Sequence, residues 1–172
     1  MRQLETERLR LRLIRTTDAE HIYRTWASDP EVTRYLTWQT HESPEDTRKI
    51  VDLWVSEYEK EGTYRWGIER KSDGVLMGMI DAVGFRNGVP AIGYCLGRAF
   101  WNNGYMTEAL KAVISELFTE GYDAVFIEAV VENIGSNRVI EKAGFIFTGT
   151  RPAEIFPGKP WIREINTYEI HR

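Results

Sequence analysis

Features that define several large protein classes are scarce in this sequence. Among 172 residues there is one cysteine, Cys95, so no internal disulfide can form and a reducing compartment is expected. The three histidines (His21, His41 and His171) are scattered without the spacing of metal ligands, so we predict no metal site. No apolar run approaches the roughly 18–20 residues of a membrane span, and the charged start lacks the apolar stretch of a secretory signal. We therefore predict a cytoplasmic protein that neither enters a membrane nor uses a metal.

An excess of positive charge is also lacking. The formal net charge is −4, with 22 basic and 26 acidic residues. A general nucleic-acid binder would carry a basic footprint, so we expect no nucleic-acid partner. Hydrophobic residues make up 42% and charged residues 28% of the chain, as in an ordinary globular protein. Since no linker rich in proline, glycine or serine interrupts the chain, residues 1–172 are read as one domain.

The periodicity of apolar residues predicts the order of elements. Leucine and arginine alternate over residues 8–13, which is typical of a strand with one buried face, and the arginines form either a phosphate-binding stripe or a solvated face. Two helices are predicted next, the second opening at Ser43 with a proline in its first turn. Three strand-like runs then follow at 64–70, 75–83 and 90–98. The strongest helical pattern comes next, at 107–119, and a fourth strand-like run follows it at 124–131. A short helix ending at Gly144 and two strands, 145–156 and 161–170, complete the chain.

This order predicts an α/β (α+β) fold with a mixed, mostly antiparallel sheet. About seven strands and about four helices are expected. Because a strand–helix–strand step separates 90–98 from 124–131, these two strands are expected to be parallel.

A candidate phosphate-binding loop lies between the strand at 90–98 and the strongest helix. It comprises Trp101, Asn102, Asn103, Gly104, Tyr105, Met106 and Thr107. A helix start presents unpaired N–H groups and a partial positive charge, which favour an anion such as a pyrophosphate. Gly104 would let the backbone approach the phosphates closely. On these residues alone, an ordinary strand-to-helix turn is the alternative.

Three further residues are candidates for chemistry. Glu128 stands in a run of apolar residues, where burial would raise its pKa and make it a proton acceptor near neutral pH; pairing with an arginine is the alternative. Asn133 and Ser136 precede or open the short helix, where such residues ordinarily act as caps. Cys95 is interpreted as a small core residue, since no histidine stands at a spacing that would suggest a nucleophile.

Taken together, these segments resemble the GNAT N-acetyltransferases, and particularly the RimJ/RimL-like branch, over essentially the whole chain. The opening strand and Ala27–Val32 are similar to that branch. Gly104, followed by Thr107 to Leu110, is similar to the family's pyrophosphate loop, with Trp101 in place of its Gln or Arg. The family's second signature is similar to the run from Asn133 through Ser136 to Gly144 and Phe145.

The resemblance implies the GNAT fold, with its splayed parallel strand pair, and acetyl-CoA as co-substrate. It implies that the backbone of 102–107 holds the pyrophosphate, that Asn133 contacts the pantetheine arm, and that Glu128 deprotonates the acceptor. Many relatives carry a general-acid tyrosine where this chain has Ile140, so Ser136 is expected to protonate or orient the leaving thiolate. Backbone N–H groups of the 92–98 strand would stabilise the oxyanion.

The acceptor expected from the resemblance is a primary amine, namely the α-amine of a polypeptide N-terminus. Its site is placed at Tyr35, Trp38 and the Phe156–Trp161 turn. A polyamine, an amino acid or an aminoglycoside is the alternative acceptor, and a non-catalytic acyl-CoA-binding module is a second alternative. A homodimer is possible on the same grounds.

Overall fold

Eight strands build one sheet with helices on both faces. The computed structural model describes residues 2–153, 156 and 158–172. The strands are β1 (Leu4–Glu5), β2 (Leu9–Arg12), β3 (Arg65–Arg70), β4 (Leu76–Arg86), β5 (Val89–Leu96), β6 (Ala124–Val130), β7 (Ile146–Pro152) and β8 (Glu164–His171). The helices are α1 (Ala19–Ile22), α2 (Pro30–Thr33), α3 (Pro44–Glu57), α4 (Tyr105–Thr119) and α5 (Ile134–Ala143). Within the described part of the chain, no helix has the length and apolar character needed to cross a bilayer.

The strand order across the sheet is β1-β2-β3-β4-β5-β6-β8-β7. Every neighbouring pair is antiparallel except β5 and β6, which confirms the mixed, mostly antiparallel sheet with one parallel pair. The sheet has one strand more than the seven expected from the sequence. The additional strand is β1, whose two residues are too few for an alternating pattern. The helix that was not expected is the single turn α2. It is capped by Asp29, whose carboxylate accepts from the N–H of Glu31.

Two apolar layers hold the helices to the sheet. On one face α4 buries Leu110, Val113 and Leu117 completely, as its spacing predicts. We call this the α4/α5 face. The opposite face, which we call the α1–α3 face, is covered by α1 and α3. The predicted cap of α3 is confirmed, because Ser43 Oγ accepts from the N–H of Asp46.

Carboxylates pair with all three arginines around β2, which disfavours a phosphate-binding stripe, while Arg8 and Arg10 stay partly solvated with side chains 42% exposed. Arg12 is buried between Asp18 and Glu69, at 2.8 and 2.6 Å. Arg10 shares Glu69, and Arg8 reaches Glu108 on α4 at 2.7 Å. These ion pairs join β2 and the residue before it to β3, to α4 and to Asp18.

The parallel strands diverge soon after they pair. Their register includes only Ala91↔Phe126 and Ile92↔Ile127, although β5 continues to Leu96 and β6 to Val130. Beyond Ile92 the two strands leave a gap in the middle of the sheet, with the start of α4 and the start of α5 beside it.

Candidate active site

The β5 side of the gap presents backbone donors. The N–H of Gly97 donates to the Met77 carbonyl on β4 at 2.8 Å. Since the backbone groups of a strand alternate in direction, those of Tyr94 and Leu96 point the other way, towards β6. The Leu96 carbonyl accepts from the indole of Trp101 at 2.7 Å. The N–H groups of Tyr94 and Leu96 therefore face the gap, where the oxyanion donors were predicted.

The loop that enters α4 is built from residues suited to its turns. Asn102 has a φ of +59°, a left-handed conformation that asparagine tolerates better than most residues. The side-chain amide of Asn103 donates to the Trp101 carbonyl at 2.7 Å. Trp101 thus has a structural role at this position, because its indole joins the loop to the end of β5.

The start of α4 has the geometry of an anion site. Gly104 precedes the helix with a φ of +76°, and the first helical bond runs from the Glu108 N–H to the Gly104 carbonyl. The N–H groups of 105–107 therefore have no acceptor within the helix. Arg8 supports the loop by donating to the Asn103 carbonyl at 3.0 Å. Met106 turns its side chain into the core, so only its backbone can contact a cofactor.

An open cavity of about 420 Å³ adjoins this helix start. Its lining includes Gly104 and Thr107, two lysines (Lys111 from α4 and Lys142 from α5) and two glutamates, Glu7 and Glu108, of which Glu108 is paired with Arg8. Two ammonium groups beside a helix start suit a ligand that carries several phosphates, as coenzyme A does. These residues therefore fit the phosphate-bearing part of acetyl-CoA.

The start of α5 combines capping with a possible donor. Asn133 is the cap residue, and its side-chain oxygen accepts from the Ser136 N–H at 3.2 Å. The capping alternative for Asn133 is therefore correct, yet its side-chain amide has no described partner and could still donate to a pantetheine carbonyl. Asn137, which the sequence did not single out, is buried and bonds to the Val130 carbonyl at 3.0 Å and the Tyr168 hydroxyl at 2.6 Å. Asn137 fixes α5 against β6 and β8.

Ser136 has a tyrosine partner that the sequence analysis missed. The Tyr94 hydroxyl lies 2.8 Å from Ser136 Oγ and 3.3 Å from the Ser136 carbonyl. Ile140 is fully buried in the core. No sequence signal linked Tyr94 to Ser136, because 42 residues separate them and the link depends on the divergence of β5 from β6.

Glu128 is less buried than its apolar strand suggests. About a quarter (23%) of its side chain is exposed, and both carboxylate oxygens are paired, with Arg86 and Arg151 at 2.9 Å each. The paired alternative therefore describes the ground state of Glu128, and an acceptor amine would have to share the carboxylate with the two arginines. Glu128 lies on the α1–α3 face, opposite the face to which Tyr94 and Ser136 belong.

A second carboxylate on that face was missed. Asp81 on β4 is 8% exposed, and burial raises its pKa to about 6 although Arg65 pairs with Oδ2 at 3.2 Å. Its Oδ1 lies 3.8 Å from where a Cβ on Gly93 would stand, and it has no hydrogen-bond partner among the described residues. Asp81 and Glu128 thus lie on either side of Gly93 at the start of the gap. Asp81 was missed because its place beside Gly93 and its pairing with Arg65 depend on the register of the sheet, which the sequence does not show.

Cys95 is a core residue, as predicted. It is 7% exposed, and burial raises the pKa of its thiol to about 12. A thiol that stays protonated is a poor nucleophile.

The two segments predicted to form the acceptor site are joined by one lysine. Lys159 is buried, and its ammonium donates to the carbonyls of Thr33, Leu36 and Trp38 at 2.6, 2.5 and 2.8 Å. Tyr35 packs in the apolar cluster that also contains Phe156. Part of the predicted Phe156–Trp161 turn, at Pro157, lies outside the described residues, as do Glu154 and Ile155.

These features divide between the two faces of the sheet. The phosphate-suited helix start, Asn133 and Ser136 belong to the α4/α5 face, whereas Asp81 and Glu128 belong to the α1–α3 face. The gap between β5 and β6 connects the two faces and carries backbone donors at its edge. The arrangement can bring an acyl donor from one face to a nucleophile on the other.

Comparison with known proteins gives one consistent family. The model of the acetyltransferase (GNAT) domain matches residues 8–146. The uncharacterized N-acetyltransferase YoaA from Bacillus subtilis is 33% identical over 171 residues, which cover 97% of this chain and 95% of the relative. The crystal structure of a GNAT-family acetyltransferase from Bacillus anthracis superposes with a TM-score of 0.85 at 25% identity, covering 99% of this chain and 98% of that one.

The fold is also that of RimL, the ribosomal L7/L12 alpha-N-protein acetyltransferase, solved in complex with coenzyme A. It superposes with a TM-score of 0.86 at 21% identity and covers 99% of this chain and 98% of that chain. The resemblance to the RimJ/RimL-like branch is therefore confirmed at the level of the fold.

Proposed function

The chain belongs to the GNAT acetyltransferase family and is an acetyl-CoA-dependent N-acyltransferase, and from this premise we propose that it acetylates the α-amine at the N-terminus of a polypeptide. The observation that carries the proposal is the gap between β5 and β6, which has a carboxylate on its α1–α3 face and an anion-suited helix start on the other side. RimL, which shares the fold, is named for this kind of acceptor.

The chemistry of the acceptor supports the choice. A protonated amine is not nucleophilic, and an α-amine has an unperturbed pKa of about 7.7–8.0, against about 10.4 for a lysine side chain. One carboxylate can therefore deprotonate an α-amine at neutral pH far more readily than a lysine. The loop at Tyr35 and Trp38, fastened by Lys159, is proposed to cover the first residues of the peptide.

The proposed reaction joins the two bound substrates directly. Glu128 takes a proton from the acceptor, through a water molecule, and the free amine attacks the thioester carbonyl. The N–H groups of Tyr94 and Leu96 stabilise the oxyanion, each such donor being worth roughly 2.7–4 kcal/mol. The carbon–sulfur bond then breaks, and the thiolate leaves on the α4/α5 face beside Ser136.

The acetyl donor is proposed to bind across the start of α4. The backbone of 102–107 would hold the pyrophosphate, Lys111 and Lys142 would lie near the phosphates, and the side-chain amide of Asn133 would donate to the pantetheine arm. The cytoplasm, where ribosomal proteins are made, is the compartment that this function implies.

Replacing Glu128 by glutamine tests the role of the carboxylate. An amide cannot accept the proton, so turnover should fall while the affinity for acetyl-CoA stays the same, and the loss should be largest at low pH, where few amines are free. Glu141→Gln, a change of an exposed glutamate on α5, serves as the control. Turnover like that of the wild type from about pH 6 to about pH 9 would exclude Glu128 and leave Asp81 as the candidate carboxylate on this face.

A further inference from the structure

On the leaving-group side of the site, Tyr94 contacts Ser136 across the gap between β5 and β6. Tyr94 lies on β5, two residues after the last paired position Ile92, and its hydroxyl reaches the first turn of α5. Because α5 follows β6 in the chain, this one side chain spans the two sides of the gap. Its contact is Ser136, the residue expected to assist the departing thiolate.

We propose that Tyr94 is a positioning residue that directs the hydroxyl proton of Ser136 towards the sulfur of the leaving coenzyme A. The inference rests on the proposed function, because it requires a thiolate to leave on the α4/α5 face. The Tyr94 hydroxyl has two acceptors within reach, Ser136 Oγ at 2.8 Å and the Ser136 carbonyl at 3.3 Å. The proposal takes the nearer one: the tyrosine donates to Oγ, which frees the serine proton to point into the gap.

Whether Tyr94 ionises decides between two roles: a donor that keeps its proton, or a group that gives its proton away. Burial raises the pKa of the Tyr94 hydroxyl, and the contact with Ser136 offsets this only in part. A tyrosine that resists ionisation holds its proton throughout the reaction, so it acts on Ser136 by a hydrogen bond and not by giving its proton away. Ser136 Oγ then donates its hydrogen bond to the thiolate as the carbon–sulfur bond breaks, and it keeps its own proton. The amine nitrogen loses two protons in forming the amide: the first is taken by Glu128 before the attack, and the second, lost as the tetrahedral intermediate collapses, passes to the sulfur to give the thiol.

The packing of α5 explains why the partner comes from β5. Position 140, where many relatives carry a tyrosine, holds a fully buried isoleucine within the core. Asn137 anchors the same helix turn to Val130 and Tyr168, so the first turn of α5 is held firmly against the end of β6. A hydroxyl that reaches Ser136 from across the gap therefore meets a fixed target.

A double-mutant cycle on kcat tests the proposal. Tyr94→Phe removes only the hydroxyl and should lower kcat by roughly three- to tenfold, the value of one hydrogen bond, without weakening acetyl-CoA binding measured by calorimetry. In a Ser136→Ala background the same change should have no further effect, because Tyr94 acts only through Ser136. In a Ser136→Thr background, which keeps the hydroxyl, the effect of Tyr94→Phe should return.

Tyr168→Phe is the matched control. It also removes a buried tyrosine hydroxyl that bonds to α5, but to Asn137. If Tyr168→Phe lowers kcat, the factor should be the same in the wild type and in the Ser136→Ala background, as expected for a general loosening of the helix.

Two outcomes would overturn the inference. One is an unchanged kcat in Tyr94→Phe, and the other is an equal loss of kcat with and without the Ser136 hydroxyl. Either result would make the bond purely structural. Failure of the proposed function is distinguishable: a wild-type protein that releases no thiol from acetyl-CoA with any amine removes both claims, whereas a preference for small amines removes only the peptide acceptor.

Discussion

Replacing Asp81 by asparagine should make the protein more stable at neutral pH. Asp81 is 8% exposed, and burial raises its pKa from 3.8 to about 6 despite the ion pair with Arg65. Arg65 also pairs with Glu57, so it keeps one carboxylate in the variant. The ionised form of Asp81 is therefore a cost to the native state that asparagine removes.

The magnitude follows from the difference between the two pKa values. The native protein holds the Asp81 proton more tightly than the unfolded chain does, so the stabilisation from this proton is complete below the unfolded pKa of 3.8 and is lost as the pH rises through about 6. A gap of roughly two pH units corresponds to about 3 kcal/mol in the free energy of unfolding. The advantage of Asp81→Asn should grow from near zero at about pH 4 to at most about 3 kcal/mol at about pH 8.

Urea unfolding of the wild type and the variant across this pH range measures the effect. Other titrating groups cancel in the difference between the two proteins, and Asp52→Asn, a change of an exposed aspartate on α3, is the matched control. Parallel pH profiles for the wild type and Asp81→Asn, or a variant that is less stable at about pH 8, would refute the reasoning.

Two further predictions concern the two substrate sites. Gly104→Val should weaken acetyl-CoA binding in calorimetry, because it adds a side chain at the start of α4. Gly74→Val controls for backbone strain, since Gly74 has a similar φ of +72° and lies in open space. Equal affinity in both variants would place the site elsewhere. Lys159→Met should remove a donor from three carbonyls, of which that of Thr33 keeps another donor, the Leu36 N–H. The KM for the acceptor, measured from initial rates at varied peptide concentration, should rise while the affinity for acetyl-CoA stays the same. An unchanged KM in a folded variant would separate this loop from the acceptor site.

The fold was predictable from the sequence because most elements are long enough to show their period. The helix α4 and the strand β6 are examples: five apolar residues at helical spacing indicate the first, and a continuous apolar run indicates the second. The sequence did not predict β1 or α2, because two and four residues are too few to show a period.

The candidate site was predictable where local sequence determines local geometry. The loop at Gly104 and the cap at Asn133 are of this kind, since each depends on neighbours in the chain. Tyr94 and Asp81 could not be found in this way, because their surroundings arise from strand divergence and sheet register. The environment of Glu128 was misjudged for the same reason, since Arg86 and Arg151 come from distant strands.

The most direct test of the proposed function uses two peptides that differ only in which amine is free. One has a free N-terminus and no lysine, and the other has a blocked N-terminus and one lysine. Each is incubated with the protein and acetyl-CoA, and the products are identified by mass spectrometry. The account predicts faster acetylation of the peptide with the free N-terminus, since its α-amine has the lower pKa. Faster acetylation of the blocked peptide, or acetylation only of polyamines or aminoglycosides supplied in parallel, would contradict it.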